Sequence, residues 1–596
     1  MLQTTIAALL SLSIGVAYAC IVNRPEDLPS GKTYDYIVVG SGPGGSVVGT
    51  RLSEDPSVNV LIIEAGPNVD GVEDIEIPFY GPKLIGTKYD WNFTTTAQAG
   101  LNGRSIAYSR GKGLGGSSST NFMVYNRGSK DDWDRCANVT GDKGWSWDAL
   151  QPIILGMEKL VPPADHHNTT GEINPAIHGK SGPLQVSLPG FPLPTDDRVI
   201  RATSDLPDEF PFNEDMNSGN TIGVGWTPFT ISDGQRVSAY TAYLKPALSR
   251  RNLDVLVNTQ VTKVVQTGTK SGLPVFKGVQ FAQSSSGKRF ALNATREVIL
   301  SAGAVQTPQL LLLSGIGDSA ALGKLGIHTI VNNKNVGRNL QDHVLLSSPY
   351  KVNSTDTFDR ISQNSTFAAS LVAQWEKTHT GELVLASAGQ LGWLRIPSNA
   401  SIYASQSDPS AGKTSGHYEL IFTNGFVSFT AAPPTTGNYF SLFTNIVSPA
   451  ARGSITLASS DPFAAPLVDP GLLNSKFDIF TIVEALRTAN RFTQAKSWDG
   501  YILEPYGDFA TAISGSDVDL EAYARKTSTT VWHPTSSVSM SKKGTSDGVL
   551  NPDLSVKNTI GLRVVDASAL PFVPAAHIQI PIYILAERAA RLIKGA

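Results

Sequence analysis

The stretch Asp35-Tyr-Ile-Val-Val-Gly-Ser-Gly-Pro-Gly-Gly-Ser46 predicts a buried strand that turns tightly into a helix. Its apolar run, Tyr36 to Val39, has the length of a short buried strand. The turn carries a G-x-G-x-x-G pattern formed by Gly40, Gly42 and Gly45. The first glycine permits the tight turn, the second lets a pyrophosphate approach the backbone, and the third lets the helix pack on the strand. The pattern therefore predicts phosphate binding at the N-terminus of the helix.

An acidic residue follows the next predicted strand. The apolar run Val58 to Ile63 ends in Glu64, which lies 19 residues after Gly45. A carboxylate at this position accepts hydrogen bonds from ribose hydroxyls and would repel a 2′-phosphate. The two strands, the glycine turn and the acid together predict a dinucleotide site of the FAD or NAD type. The alternative is a glycine-rich turn without a ligand.

The composition is that of a large globular protein. Of the 596 residues, 41% are hydrophobic and 17% are charged, and the net charge is −3. This charge offers no basic field for nucleic acid, so we expect no nucleic-acid partner. The chain has two cysteines, Cys20 and Cys136, which form no disulfide framework, and the sequence leaves their pairing open. We expect no metal site and take a monomer as the oligomeric state.

Residues 1–19 have the features of a secretory signal peptide. An apolar stretch from Ala7 to Val16 precedes the cleavage pattern Ala17-Tyr18-Ala19, and it is too short to span a bilayer. The alternative is a buried N-terminal helix. Seven N-x-S/T triplets agree with a secreted, extracellular glycoprotein without a membrane anchor. Their acceptor residues are Asn92, Asn138, Asn168, Asn293, Asn353, Asn364 and Asn399.

Two further segments, a glycine- and serine-rich loop and a strand–turn–helix unit, carry small residues that suit a cofactor site. The loop Gly111–Arg127 contains five consecutive glycines and serines, Gly115 to Ser119, which suit contact with phosphate or ribityl groups or form a plain flexible loop. The segment Gly303–Gly317 follows a predicted strand at Ala291 to Ala302, and Thr307-Pro308 predicts the start of its helix. Near the C-terminus, Asp566 follows another apolar run, so we expect it to face the same site.

Coarse periodicity predicts the remaining elements. Residues 162–230, rich in proline and glycine, predict irregular structure and edge strands. Helices are predicted within Asp131–Val161 and over Tyr240–Leu248 and Asp478–Phe492, and strands over Leu253–Val257, Val261–Val265, Tyr418–Phe422 and Tyr439–Ile446.

Three of these regions resemble the glucose–methanol–choline (GMC) oxidoreductase family. The loop Gly111–Arg127 is similar to the family's first signature apart from Thr120, and Gly303–Gly317 is similar to its second signature. His533 and His577 are similar to the histidine pair near the family's C-terminus. The resemblance runs from about residue 33 to residue 594. The runs that look most like fungal aryl-alcohol oxidases are Asp90–Gly100, Asn102–Tyr108 and Phe572–His577.

The resemblance implies a fold class and a domain arrangement. The fold is α/β, with a Rossmann-like FAD-binding domain of the GMC/p-hydroxybenzoate hydroxylase type, interleaved with an α+β substrate domain that contains an antiparallel sheet. We assign residues 33–130, 240–350 and 530–596 to the FAD-binding domain. Residues 131–239 and 351–529 then form most of the substrate domain.

The resemblance also implies the cofactor and its contacts. FAD would be bound non-covalently, because Gly111–Arg127 contains no histidine for a covalent link and Asn121 stands where related aryl-alcohol oxidases have histidine. The residues implied to contact FAD are Gly40, Gly42, Gly45, Glu64, Arg110, Gly116, Asn121, Met123, Val124, Val261, Asp566, Ala567, Gln579 and Ile580.

The histidine pair carries the predicted chemistry. Oxidation of R-CH₂OH removes a hydroxyl proton and a hydride; His533 as a neutral imidazole accepts the proton, and flavin N5 accepts the hydride. His577 orients the substrate oxygen. The resemblance implies aromatic side chains at the substrate entrance, namely Phe122, Trp532 and a third residue at Phe426 or Val427.

One residue departs from the family pattern close to this site. The family usually has glycine where this chain has Ser536. A serine is strained if the turn requires a positive φ, and flavin binding or activity would then be altered.

Several functions are compatible with these residues. We expect an extracellular FAD alcohol oxidase that converts aromatic or allylic primary alcohols to aldehydes and reduces O₂ to H₂O₂. The first alternative is a sugar or alcohol dehydrogenase of the same fold that reduces quinones. A hydroxynitrile-lyase-like enzyme and a non-enzymatic flavin-binding glycoprotein are further alternatives. An NAD enzyme is disfavoured, because the chain supplies one glycine motif and no domain of that kind for a second substrate.

Overall fold

A computed structural model describes residues 21–386 and 388–595. The predicted signal peptide and Cys20 lie outside the described residues, while Cys136 is buried in the largest hydrophobic core. All seven predicted glycan acceptors are exposed, and their glycosylation stays a prediction. No helix in the described ranges is long and apolar enough to cross a membrane.

An eight-stranded sheet carries the glycine turn. In spatial order its strands are Ile21–Val22, Leu253–Leu256, Val60–Ile63, Tyr34–Val39, Phe290–Leu300, Leu273–Ala282 and Gln260–Lys270, and Leu562–Val564 also pairs with Phe290–Leu300. The first five strands and Leu562–Val564 run parallel, whereas the last two join as antiparallel hairpin strands. The parallel strands are almost wholly apolar because helices and loops cover both faces.

A seven-stranded antiparallel sheet forms the second layer. Its order is Ile502–Pro505, Val344–Val352, Tyr439–Ile446, Tyr418–Thr423, Gln390–Leu394 and Gly223–Trp226, and Thr529–Thr530 pairs with Val344–Val352. The helix Lys476–Phe492 packs on this sheet and builds a second hydrophobic core. The predicted domain boundary at residue 350 falls inside the strand Val344–Val352. The boundary at residue 530 coincides with the end of Thr529–Thr530.

The remaining elements are helices and small sheets. The α-helices are Pro43–Leu52, Glu73–Glu76, Lys130–Thr140, Trp147–Met157, Asp196–Asp205, Lys245–Ala247, Gly303–Leu313, Ser319–Lys324, Asp359–Gln363, Ser365–Thr378, Lys476–Phe492, Asp508–Ile513, Asp517–Thr527 and Gln579–Lys594, and Tyr240–Leu244 is a π-helix. The small sheets pair Arg338–Leu340 with Gly453–Thr456 and Leu467–Asp469, Ile231–Ser232 with Gln235–Arg236, Ile316–Gly317 with Val331–Asn332, Phe93–Thr94 with Ala107–Tyr108, and Glu158–Leu160 with Leu184–Val186.

Most predicted elements are confirmed, but the irregular segment 162–230 hides a helix. Asp196–Asp205 is an α-helix whose buried residues include Val199, Ala202 and Thr203, at helical spacing. Because its apolar face has so few residues and lies between proline-rich stretches, composition outweighed periodicity in the prediction.

The predicted start of the helix after Ala302 is wrong. The helix begins at Gly303 and contains Pro308 in its interior. Proline has no N–H, so the carbonyl of Ala304 loses its intrahelical partner. The hydroxyl of Ser537 donates to that carbonyl over 2.6 Å and replaces the missing bond. A contact from a distant segment therefore lets the helix continue through the proline.

Removing this hydroxyl is expected to destabilise the protein. Ser537→Ala leaves the buried carbonyl of Ala304 unpaired and should lower the free energy of unfolding by about 1–3 kcal/mol. In a Pro308→Ala background the new N–H can bond that carbonyl, so the same substitution should cost clearly less. A double-mutant cycle in chemical denaturation measures the difference. Equal costs in both backgrounds would contradict this account of the helix.

Candidate active site

A cavity of about 640 Å³ follows the carboxyl ends of the parallel strands. It begins at the glycine turn, passes the loop Gly111–Arg127 and the start of helix Gly303–Leu313, and reaches His533 and His577. Ligands of open parallel sheets bind at this edge, because strands end and helices begin there. The cavity therefore joins the predicted cofactor residues to the predicted catalytic pair.

The glycine turn has the geometry that its sequence predicts. Gly40 has φ +97°, and a Cβ there would overlap the carbonyl oxygen of Ser301. A Cβ at Gly45 would overlap the carbonyl oxygen of Gly40, so only glycine lets the helix approach the strand this closely. At Gly42 the nearest protein atom to a Cβ is 3.9 Å away, and this residue faces the cavity. Gly44, which the sequence did not single out, would overlap the carbonyl oxygen of Val565 if it carried a Cβ.

Glu64 lines the cavity at the end of its strand and is itself held in place. Its carboxylate accepts hydrogen bonds from the backbone N–H of Ser41 over 2.9 Å, from the Ser41 hydroxyl over 2.8 Å and from the N–H of Gly66 over 2.8 Å. Burial raises the pKa of Glu64, and these donors oppose that rise. The carboxylate thus has a fixed orientation toward the space where a ribose would lie.

The second glycine loop contacts the C-terminal helix. The amide of Asn121 donates to the side-chain oxygen of Gln579 over 3.0 Å, and the amide of Gln579 donates to the carbonyl of Val124 over 2.7 Å. Gly116 packs against the Cα of Gly42, which joins the two glycine loops. The loop residues Arg110, Gly116, Asn121, Met123 and Val124 all line the cavity, as do Val261, Asp566, Ala567 and Gln579.

Two of the predicted cofactor residues lie behind the cavity wall. Gly45 faces the strand, and Ile580 is fully buried in the largest core. Ile580 is the second residue of helix Gln579–Lys594, so its side chain points about 100° away from that of Gln579. The side chain of Ile580 therefore does not line the cavity, and a backbone contact of Ile580 with FAD stays a prediction. Its neighbours Ile578 and Ile582 line the cavity instead.

His533 and His577 meet at the inner end of the cavity. Their ring centroids are 4.9 Å apart at an interplanar angle of 79°. The backbone N–H of His533 donates to the buried carboxylate of Asp342 over 2.8 Å, and the guanidinium of Arg110 donates to the carbonyl of Trp532. These contacts fix the segment that carries His533 from both sides.

Two partners of these histidines were missed by the sequence analysis. His343 Nδ1 lies 3.0 Å from His533 Nδ1, and Glu419 Oε1 lies 2.9 Å from His577 Nε2. His343 belongs to the polar cluster Asn335–His343, and Glu419 to the strand Tyr418–Thr423. A carboxylate in a strand that is otherwise apolar and buried was the available signal for Glu419.

Burial decides the protonation of His533 and His343, whose imidazole rings face each other. It lowers the pKa of His533 well below its ordinary value, and the positive charges possible on His577, His343 and Arg110 lower it further. Burial and His577 lower the pKa of His343 to about 3. Both rings are therefore neutral near pH 7, and a neutral imidazole can accept a proton.

Three aromatic rings form the wall that faces the histidine pair. The ring of Phe429 packs edge-on against that of Trp532, with the ring centroids 4.9 Å apart. The ring of Phe122 stacks on that of Trp532, with the centroids 6.2 Å apart. The predicted third member, Phe426, also lines the cavity, but its ring packs against Tyr439 and Tyr506. Val427, the other residue predicted for this position, also lines the cavity, and Phe429, which the sequence analysis did not name, packs against Trp532.

Three non-glycine residues with positive φ lie at or next to this site. Trp532 has φ +61°, Ser536 has φ +70° and Met123 has φ +60°. The positive φ at Ser536 confirms the predicted strain. Each strained backbone is held by a hydrogen bond: Trp532 N–H to the Thr530 hydroxyl, Ser536 N–H to the Ala567 carbonyl and Met123 N–H to Asn121. Such strain persists only where the surrounding structure enforces it, as at functional sites.

The site fits FAD. The open N-terminus of helix Pro43–Leu52 at Gly42 suits a pyrophosphate, Glu64 suits a ribose, and the cavity then extends to the histidine pair. In residues 21–386 and 388–595, no group of three or more His, Cys, Asp or Glu side chains could hold a metal ion.

Comparisons with known proteins agree with a flavoenzyme of one particular class. The family profiles described as "GMC oxidoreductase" match residues 34–345 and 449–586. "Dehydrogenase eriK" of Hericium erinaceus is 41% identical, with 100% of this chain and 99% of that protein covered. "Pyranose dehydrogenase 3" of Leucoagaricus meleagris is 37% identical, with 99% of this chain and 98% of that protein covered. The structure of a fungal aryl-alcohol oxidase matches with a TM-score of 0.80 and 25% identity, and the match covers 94% of this chain and 98% of that chain.

These matches identify both the class of enzyme and the family to which the chain belongs. The chain is an FAD-dependent oxidoreductase. It belongs to the GMC oxidoreductase family.

Two glycine substitutions should separate cofactor binding from folding. Gly42→Ala has room within the protein but adds a methyl group to the cavity wall, so we expect loss of bound flavin with little change in thermal unfolding of the apoprotein. Gly45→Ala overlaps backbone and should lower the free energy of unfolding by more than about 2 kcal/mol. The flavin-to-protein absorbance ratio and thermal unfolding measure both effects. Full flavin content in Gly42→Ala would contradict the assigned phosphate position.

Proposed function

We propose that the protein oxidises aromatic or allylic primary alcohols to aldehydes and transfers the electrons to O₂, forming H₂O₂. The observation that carries this proposal is a neutral, half-buried His533 that lines the cavity next to His577 and an aromatic wall. FAD supplies the hydride acceptor when bound.

The roles of the two histidines follow from their partners. His533 accepts the hydroxyl proton, because its depressed pKa keeps the ring unprotonated at near-neutral pH. His577 holds the substrate oxygen in reach, with its own ring oriented by the buried carboxylate of Glu419. Glu419 is also fixed, since it accepts a hydrogen bond from the amide of Asn445 over 2.8 Å.

The chemistry of the cavity wall supports an apolar substrate. Beyond the aromatic rings, the wall near the histidine pair includes Leu345, Ile421, Val427, Phe443 and Val531. The carboxylate of Asp359 lies in the wall, but it already accepts bonds from two backbone N–H groups and from the Thr357 hydroxyl. The wall also contains the Thr423 hydroxyl and the Trp532 indole N–H, neither of which has a hydrogen-bond partner among the described residues, so two polar groups are available to substrate hydroxyls. The rest of this wall is apolar and matches an aromatic or allylic group better than the many hydroxyls of a sugar.

A second candidate is a quinone-reducing sugar dehydrogenase. It is supported by the 37% identity to "Pyranose dehydrogenase 3" and the 41% identity to "Dehydrogenase eriK", both over nearly the whole chain. It differs from the first candidate in the alcohol and in the electron acceptor, while the base and the cofactor are shared.

We also propose that FAD is bound non-covalently. Among the described residues the histidines that line the cavity are His533 and His577, and both are needed for the proposed proton transfer and orientation. Acid precipitation should leave the flavin in solution; yellow colour in the pellet would contradict this proposal.

The proposed base gives a prediction for activity and pH. His533→Ala should retain yellow flavin and slow substrate-dependent flavin reduction by about 10²–10⁴-fold, the usual loss for a general base. In the wild type the rate should be flat around neutral pH and fall in acid, as the pH drops through the depressed pKa of His533. Stopped-flow flavin absorbance measures both. A near-normal rate in His533→Ala would overturn the assignment.

The substrate and the acceptor are tested by anaerobic mixing. We expect 4-methoxybenzyl alcohol to bleach the oxidised flavin faster than glucose does, and admitted air to restore the colour with formation of peroxide. Bleaching that persists in air but reverses with benzoquinone would favour the dehydrogenase. Faster bleaching by glucose would favour the sugar substrate. Mandelonitrile cleavage without bleaching would indicate the lyase reaction.

A further inference from the structure

We propose that His343 is a positioning residue that fixes which ring nitrogen of His533 carries the proton, so that the cavity-facing nitrogen is free to act as a base. The proposal rests on the proposed function, in which His533 removes the hydroxyl proton. It concerns a residue that does not line the cavity among the described parts of the chain.

The two imidazoles make a direct contact through one nitrogen each. His343 Nδ1 and His533 Nδ1 are 3.0 Å apart, which is a hydrogen-bond distance, and the rings meet edge to face with centroids 5.1 Å apart. A hydrogen bond at this contact requires one N–H and one lone pair. Both rings are neutral near pH 7, so each has one N–H to place.

Two proton arrangements satisfy this contact. In the first, His533 donates from Nδ1, and its Nε2 presents a lone pair to the cavity. In the second, His343 donates from Nδ1, and His533 must carry its proton on Nε2. Only the first arrangement leaves His533 able to accept a proton from a substrate hydroxyl.

The base role proposed for His533 requires the first arrangement, because only an unprotonated Nε2 can accept a proton from a substrate hydroxyl. In that arrangement the N–H of His343 lies on Nε2, which is buried and makes no hydrogen bond of good geometry to a described residue. The 3.0 Å contact between the two Nδ1 atoms is then the hydrogen bond that selects the tautomer of His533.

The carboxylate of Asp342 binds the backbone of both histidines and so holds the two residues next to each other. Asp342 accepts the backbone N–H of His343 over 2.9 Å and that of His533 over 2.8 Å, both on Oδ1. Its Oδ2 accepts the hydroxyl of Thr530 over 2.6 Å. The contact between the imidazoles is therefore built before substrate arrives, as a base of fixed tautomer requires.

Two substitutions of His343 separate positioning from mere packing. His343→Leu removes the acceptor, so the proton of His533 should move to Nε2, because an unpaired buried N–H is costly. Flavin reduction should slow by about 10²-fold, with little change in substrate dissociation constant. His343→Asn places an amide oxygen near the position of Nδ1 and should recover most of the rate. Flavin content and thermal unfolding control for folding.

The tautomer itself is measured on the flavin-loaded enzyme labelled with ¹⁵N-histidine. Two-bond ¹⁵N–¹H correlations, assigned with His533→Gln, should show the Nδ1–H form of His533 in the wild type and the Nε2–H form in His343→Leu. An Nε2–H form in the wild type, or equal rates for His343→Leu and the wild type, would overturn the proposal. A near-normal rate in His533→Ala would instead overturn the proposed function.

Discussion

The fold depends on a close approach of backbone that only glycine allows. The helix Pro43–Leu52 starts against the ends of three parallel strands, where Gly40, Gly44 and Gly45 face the carbonyls of Ser301, Val565 and Gly40 itself. Any Cβ at these glycines would push the segments apart. Because the three strands come from distant parts of the chain, this contact also creates the cavity and brings its far-apart wall segments together.

Low dielectric, more than any single charge pair, sets the chemistry at the inner end of the cavity. Burial keeps His533 and His343 neutral, while Asp342 and Arg110 hydrogen-bond to the backbone of the segment that carries His533. Strained residues such as Trp532 remain in place because of those backbone bonds. A rigid neutral imidazole is well suited to receive one proton, since little reorganisation precedes the transfer.

Family membership and substrate are decided by different parts of the molecule. The family is visible in the glycine loops and the terminal histidine region, which build the cofactor half of the cavity. The other half of the cavity is lined by residues of the antiparallel sheet and its loops, among them Ile421, Val427 and Phe429. The family match therefore accounts for the cofactor half, and the side chains of the other half bear on which alcohol the protein takes.

Local spacing and residue type in the sequence were enough to predict the glycine turn, Glu64 and most strands, and the family resemblance indicated His533. The tertiary structure decided the rest. His343 meets His533 across 190 residues and Glu419 meets His577 across 158 residues, and no local pattern encodes such pairs. Pro308 stays inside its helix only because Ser537, 233 residues away from Ala304, bonds the carbonyl that proline leaves free. Periodicity reports which side of an element is buried, whereas the partner on that side is chosen by packing.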